Sequence, residues 1–130
     1  MLIDTSGLLC LIHKDEREHS DAVRMYAESP FYVTHNYILD EFVPLAYTRN
    51  FPRSKSLTFS RHLLSDRTVE IVWVDPFLHE AALSLLEKRS DKSYSLCDAV
   101  SFVIMRERGI TDALTTDKHF EQEGFVRLLK

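Results

Sequence analysis

The sequence predicts a three-layer α/β/α fold around a parallel sheet of four to five strands. Two observations lead there. Short apolar and β-branched runs alternate along the chain with longer stretches of helical period, as in a parallel sheet covered on both faces. No Ser/Gly linker, low-complexity segment or internal repeat divides the 130 residues, which hold only three glycines and four prolines. Residues 1–130 therefore read as a single domain, long enough to bury one sizeable core.

Each element has a local cause. Leu2 and Ile3 make a short apolar strand ending at Asp4, after which Thr5 or Ser6 can cap a short helix through Leu11. The stretch DEREHSDAVRMYAE, residues 15–28, sets Ala22, Val23 and Tyr26 at helical spacing among charges. Ser29-Pro30 breaks that helix, and Phe31 to Thr34 forms the next strand. Asn36 opens a helix with Ile38, Phe42 and Leu45 on one stripe, and after Pro52 a further helix covers Ser54 to Leu64. Val69 to Val74, VEIVWV, is a β-branched strand. Pro76 starts a helix that runs to Lys88, and an apolar helix from Ser95 to Arg108 stops at Gly109. Ala113 to Thr115 and Val126 to Leu129 complete the strands.

Composition narrows the function mainly by exclusion. A net charge of −4 is not that of a strongly basic nucleic-acid-binding surface, although charges can segregate by face. Cys10 and Cys97 lie in apolar runs, supply neither a disulfide framework nor zinc spacing, and fit free thiols in a reducing cytosol. The start, MLIDTSGLLCLIH, lacks a basic leader and is interrupted by Asp4, so it is not a signal peptide. No apolar run approaches the about 18 residues needed to span a bilayer. A cytoplasmic protein with no membrane contact is expected.

The acids carry the functional signal. Ligands of open α/β sheets bind outside the carboxyl ends of the strands, and Asp4 and Asp117 each lie just beyond such an end. Each is also a plausible helix cap or turn acid. Asp98 follows Ser95 in an S-x-x-D capping box, yet a helix N-terminus at the same edge of the sheet would border the same crevice. Glu41 neighbours the buried stripe of its helix, where an acid needs a partner, whereas the adjacent Asp40 lies elsewhere on the wheel. Pro44 removes the bond to the Asp40 carbonyl if the helix continues through it, and a kink there could aim Glu41. Carboxylates converging on one pocket repel and raise one another's pKa values. A hard divalent cation, Mg²⁺ or Mn²⁺, relieves that conflict and suits phosphodiester hydrolysis.

The segments LIDTSGLL, YILDEFVPLA, SLCDAVSFVIMRERGI and DALTTDKHF, in this order and spacing, resemble the PIN domain family, as in the VapC-type ribonuclease toxins. The likeness spans nearly the whole chain. It implies a Mg²⁺- or Mn²⁺-dependent endoribonuclease whose acidic cluster falls on Asp4, Glu41, Asp98 and Asp117. It also implies small polar positions at Thr5, Ser6, Ser95 and Thr115 that orient ligands or cap helices. An RNA substrate, a small antitoxin covering the acidic pocket and a homodimer are the partners the family suggests. Asp40 remains a competitor of Glu41, and Asp112 of Asp117.

An RNA substrate also calls for cationic guides, for which Lys14, Arg17, Arg49, Arg53, Lys92 and Lys118 come from segments that can reach the rim. The histidines form no metal motif: His79-Glu80 lacks the second His of H-E-x-x-H, His13, His19 and His62 read as surface residues, and His119 could touch a phosphate. Most Tyr and Phe residues fall on helical stripes and read as core. A phosphoacceptor receiver would need paired acids after the first strand and a late lysine, and a haloacid-dehalogenase-like phosphatase would need D-x-D where Ser6 stands. A non-cleaving binding module with the same acids is the alternative function.

Overall fold

The first strand, β1, is only two residues long, Leu2–Ile3, yet it forms the centre of the sheet. A computed structural model describes all 130 residues. After β1 come α1 (Thr5–Ile12), α2 (His19–Glu28), β2 (Tyr32–His35), α3 (Asn36–Thr48), α4 (Arg53–Ser65) and β3 (Val69–Val72). They are followed by α5 (Pro76–Lys88), α6 (Leu96–Arg108), β4 (Asp112–Leu114), α7 (His119–Gln122) and β5 (Val126–Arg127). The five strands pair in the order β3-β2-β1-β4-β5, every pair parallel. Leu2 stands opposite Val33 on one side and Ala113 on the other.

From β1 the chain steps outward to β2 and β3, then returns to the far side of β1 for β4 and β5. Right-handed crossovers place α1 to α4 on one face and α5 to α7 on the other. The helix contacts agree, since α1 packs on α2 and α3, α3 on α4, and α6 on both α5 and α7. The strand order reverses between β1 and β4, so the crevice beyond their carboxyl ends is the topological switch point where ligands bind in such sheets. None of the helices is long and apolar enough to cross a membrane.

Burial follows this layering. Leu2, Ile3, Ala113 and Leu114 are inaccessible because the central strands are covered on both faces. In α6 the residues Cys97 to Phe102, Ile104 and Met105 are buried, and the helix ends at Gly109, whose φ of 65° is the left-handed conformation a glycine adopts without a Cβ penalty. Gly7 serves a different need. A Cβ on it would lie 2.0 Å from the Leu114 carbonyl oxygen, so only glycine lets α1 approach β4 this closely.

Several boundaries differ from the sequence expectation for identifiable reasons. Strand β3 stops at Val72 because the Val74 amide is taken by Asn36 Oδ1 at 2.7 Å rather than by a neighbouring strand. Helix α2 begins at His19, and residues 13–18 form turns instead. Asp4, not Thr5 or Ser6, occupies the N-cap position of α1. Helix α7 was absent from the sequence pattern, being only one turn long. His13 is buried rather than exposed, with Nε2 2.9 Å from the Arg49 carbonyl, and His19 is half-buried. Aromatic residues divide: Phe42, Phe102 and Phe120 are core, whereas Phe31, Tyr47 and Phe77 are exposed.

Candidate functional site

A cleft of about 730 Å³ opens at the switch point, and Asp4, Glu41, Asp98 and Asp117 all line it. Asp40 and Glu41 are both exposed, but of the two only Glu41 lines the cleft. Asp112 sits at the start of β4, at the opposite edge of the sheet, where its charge acts on the amino terminus of Met1. Helix α3 runs on through Pro44, which itself lines the cleft beside Leu45.

Asp4 is the N-cap residue of α1, but its side chain makes no capping bond. Its Oδ2 instead accepts from the Thr115 hydroxyl at 2.8 Å. With that proton committed, Thr115 Oγ1 accepts from the Asp117 amide at 3.0 Å and from Ser6 Oγ at 3.1 Å. Ser6 Oγ in turn accepts from the Thr116 amide at 3.0 Å. One hydroxyl thus ties the acid after β1 to the acid after β4, with every donor paired.

Asp98 fulfils both roles that the sequence allows. Its amide donates to Ser95 Oγ at 3.0 Å and its Oδ2 accepts from the Ser95 amide at 3.1 Å, closing the capping box. The same carboxylate faces the cleft from the first turn of α6. Asp117 is likewise a turn acid, its Oδ1 accepting from the His119 amide at 2.9 Å, and a member of the cluster. Ligand atoms of Asp98, Asp117 and His119 all lie within 4.8 Å of one another. Glu41 reaches in from α3, its Oε2 accepting from the Thr5 hydroxyl at 3.4 Å.

Electrostatics records the crowding. Burial, reinforced by Asp98 and Asp117, pushes the Asp4 carboxyl up to about 7 although Thr115 pulls the other way. Burial, with the Asp117 charge adding to it, also raises Asp98, and the Ser95 amide and His119 oppose the shift. Glu41 is raised by burial and by Asp98. Such an array of carboxylate oxygens fits a hard divalent cation, the counter-charge that would let the acids ionise together. Cys97, beneath Glu41, is a buried thiol raised far out of its reactive range, and burial lifts Cys10 to about 12.

The rim holds less positive charge than the sequence suggests. Of the six expected cations only Arg49 lines the cleft, and it is paired with Glu16 at 2.8 Å. Glu16 and Glu18 join the wall instead. They look like members of a charged helix in the sequence, and only the turns at residues 13–18 bring them round to the cleft.

The PIN domain profile matches residues 1–125 of the chain. The chain belongs to the PIN domain family. This PIN domain is 33% identical over 129 residues to the 23S rRNA-specific endonuclease VapC20 of Mycobacterium tuberculosis, known in two strains, covering 98% of this chain and 97% of VapC20. It also superposes on the crystal structure of M. tuberculosis VapC20, described as a sarcin-ricin loop cleaving toxin, with a TM-score of 0.89 and 28% identity. That superposition covers 99% of this chain and 98% of the other. The PIN likeness in the sequence and the three-layer parallel fold are both borne out.

Proposed function

We propose that this PIN domain is a Mg²⁺- or Mn²⁺-dependent endoribonuclease that cleaves structured RNA of the ribosomal stem-loop class, in the manner of a toxin held in check by an antitoxin. The observation that carries it is the convergence of Asp4, Asp98 and Asp117, with Glu41 facing them, at the switch point of a chain similar to VapC20 over nearly its full length. Residues 1–130 act as one catalytic unit in this scheme.

Asp4, Asp98 and Asp117 would hold the cation, and Glu41 would complete the site from α3. A divalent cation there would supply Lewis acidity toward the scissile phosphate and a nucleophile from water at neutral pH. Thr115 keeps Asp4 oriented through its 2.8 Å hydrogen bond. The N-termini of α1 and α6 direct their positive ends at the acids and favour the ionised forms. Arg49, which lines the cleft and is paired with Glu16, would be the cation offered to a phosphate of the substrate.

The test is cleavage of a synthetic 23S rRNA fragment containing the sarcin-ricin loop, in Mg²⁺, in Mn²⁺ and in EDTA. Site-specific cleavage that needs the metal and disappears in Asp4→Asn is the expected result. Uncut RNA that is nevertheless bound would favour the non-cleaving module, and equal cleavage by Asp4→Asn, with contaminating nuclease excluded, would refute the assignment.

A further inference from the structure

Asp98 and Asp117 come from different elements, the first turn of α6 and the loop after β4, and like charges this close repel. His119 stands between them. Its Nδ1 is 3.0 Å from Asp98 Oδ2 and 3.3 Å from Asp117 Oδ1. Ionised carboxylates only accept hydrogen bonds. Both contacts are therefore attractive with a proton on Nδ1 and repulsive with a lone pair there, as a metal ligand would need. On the other side of the ring, Nε2 lies 3.1 Å from Ser93 Oγ, a hydroxyl able to donate to it.

The ring is fixed from its remaining sides too. Tyr94 packs edge-on against it, with centroids 5.3 Å apart. The Tyr94 hydroxyl donates at 3.1 Å to the buried Glu123, which Arg89 also grips through two hydrogen bonds. The His119 amide is itself bound to Asp117 Oδ1. A side chain held this firmly, with its ring hydrogen-bonded to one acid and its amide to the other, sets the distance between those acids and occupies one oxygen of each.

We propose that His119 is a positioning residue of the cation site: its Nδ1–H donates to Asp98 Oδ2 and lies at ion-pair distance from Asp117 Oδ1, so that each carboxylate offers its other oxygen to the cation. This rests on the proposed cation site, but the hydrogen-bonding half of it exists without metal. Outer partners of this kind commonly contribute about 10- to 100-fold to metal affinity.

Two measurements on the full chain separate the parts. In EDTA, long-range ¹H–¹⁵N spectra of the imidazoles report the His119 tautomer. A proton on Nδ1 is expected, and a ring protonated on Nε2 alone overturns the proposal whatever the metal does. Calorimetric titration with Mn²⁺ then compares wild type, His119→Asn and His119→Gln, because the Asn amide places a donor near the Nδ1 position and the Gln amide does not. His119→Asn should bind within about threefold of wild type and His119→Gln about 10- to 100-fold more weakly. Wild-type affinity in His119→Gln, or an equal loss in both variants as for a direct ligand, overturns it. Melting in EDTA checks that each variant folds. Ser93→Ala, which touches only the Nε2 side, should weaken Mn²⁺ binding with unchanged melting, and carries the test if His119→Gln does not fold. Absence of Mn²⁺ binding by wild type would sink the cation site itself, leaving the tautomer to decide whether His119 orders the two acids.

Discussion

Replacing Gly7 by alanine sets two effects of opposite sign against each other. Gly7 lies inside α1, where alanine is intrinsically better by about 1 kcal/mol, so helix propensity alone predicts a more stable protein. Packing predicts the reverse. The added Cβ would sit 2.0 Å from the Leu114 oxygen and 2.9 Å from its carbonyl carbon, where ordinary contact begins at 3.4 Å. The obstacle is backbone in a central strand, which cannot rotate away as a side chain could. Helix and strand must part by more than 1 Å, and overpacking of this kind costs about 3 kcal/mol, the upper part of its usual range. The net loss is roughly 2 kcal/mol. The same separation disturbs the Asp4 amide, which donates to the Leu114 oxygen at 3.2 Å, and the Ser6–Thr115 contact. A displacement of about 1 Å at a catalytic group can cost on the order of 100-fold in rate. Urea unfolding should give a lower midpoint with unchanged slope, and cleavage under conditions where the variant is fully folded should fall by that order. A Gly7→Ala protein as stable as wild type and fully active would refute the close approach of α1 to β4 as the reason for glycine.

Asp98→Asn, freed of one charge, should melt in EDTA no lower than wild type and respond less to millimolar Mn²⁺. Wild type should gain about 2.7 kcal/mol at one hundred times its dissociation constant, and an identical response from the mutant would remove Asp98 from the cation site. Asp4, raised to about 7 from 3.8 in the metal-free fold, lends stability that is fully present below pH 3.8 and lost as pH rises through 7. Cation binding must displace its proton, so Mn²⁺ affinity should climb about tenfold per pH unit from 5 to 7 and then level off; a flat titration profile would contradict this. Glu123 is held below the usual carboxylate range: burial pushes it up, but Arg89, Arg106 and Tyr94 outweigh that. Its stabilisation is present above pH 4.5 and fades as pH falls through the lower folded value, and Glu123→Gln should cost about 3 kcal/mol at neutral pH, near the bottom of the range for breaking a buried pair because both arginines are partly exposed. Thermal melts at pH 7 and below 4 would show that difference shrinking, and a pH-independent gap would argue against the charge.

Much of this protein is legible in one dimension. The alternation of apolar strands and helical stripes determines an α/β fold, since a strand buried on both faces and a helix buried on one have different periods. Pro76 and Gly109 mark helix ends because their backbones allow little else. The acids Asp4, Asp98 and Asp117 stand at strand ends and a helix start, places that share one edge of any parallel sheet, and it is the PIN likeness that sets them apart from ordinary cap and turn acids. Each also had a local role, and for Asp98 and Asp117 that role is present together with a place on the cleft wall.

Tertiary structure decided what depends on the azimuth of a helix or the path of a loop. Sequence could not separate Glu41 from Asp40 with certainty, because adjacent residues on a helix differ only in direction, and direction is set by how α3 lies on its neighbours. Nor could it place Glu16 and Glu18 on the cleft wall, since turns carry no period to extrapolate. The link from Thr115 to Asp4 spans 111 residues, and His119 meets Asp98 across 21. Such pairings arise only once the sheet order brings β1 beside β4 and α7 against α6. Local sequence supplied the acids; the order of the strands brought them to one cleft, because repulsion between carboxylates exists only when the fold makes them neighbours.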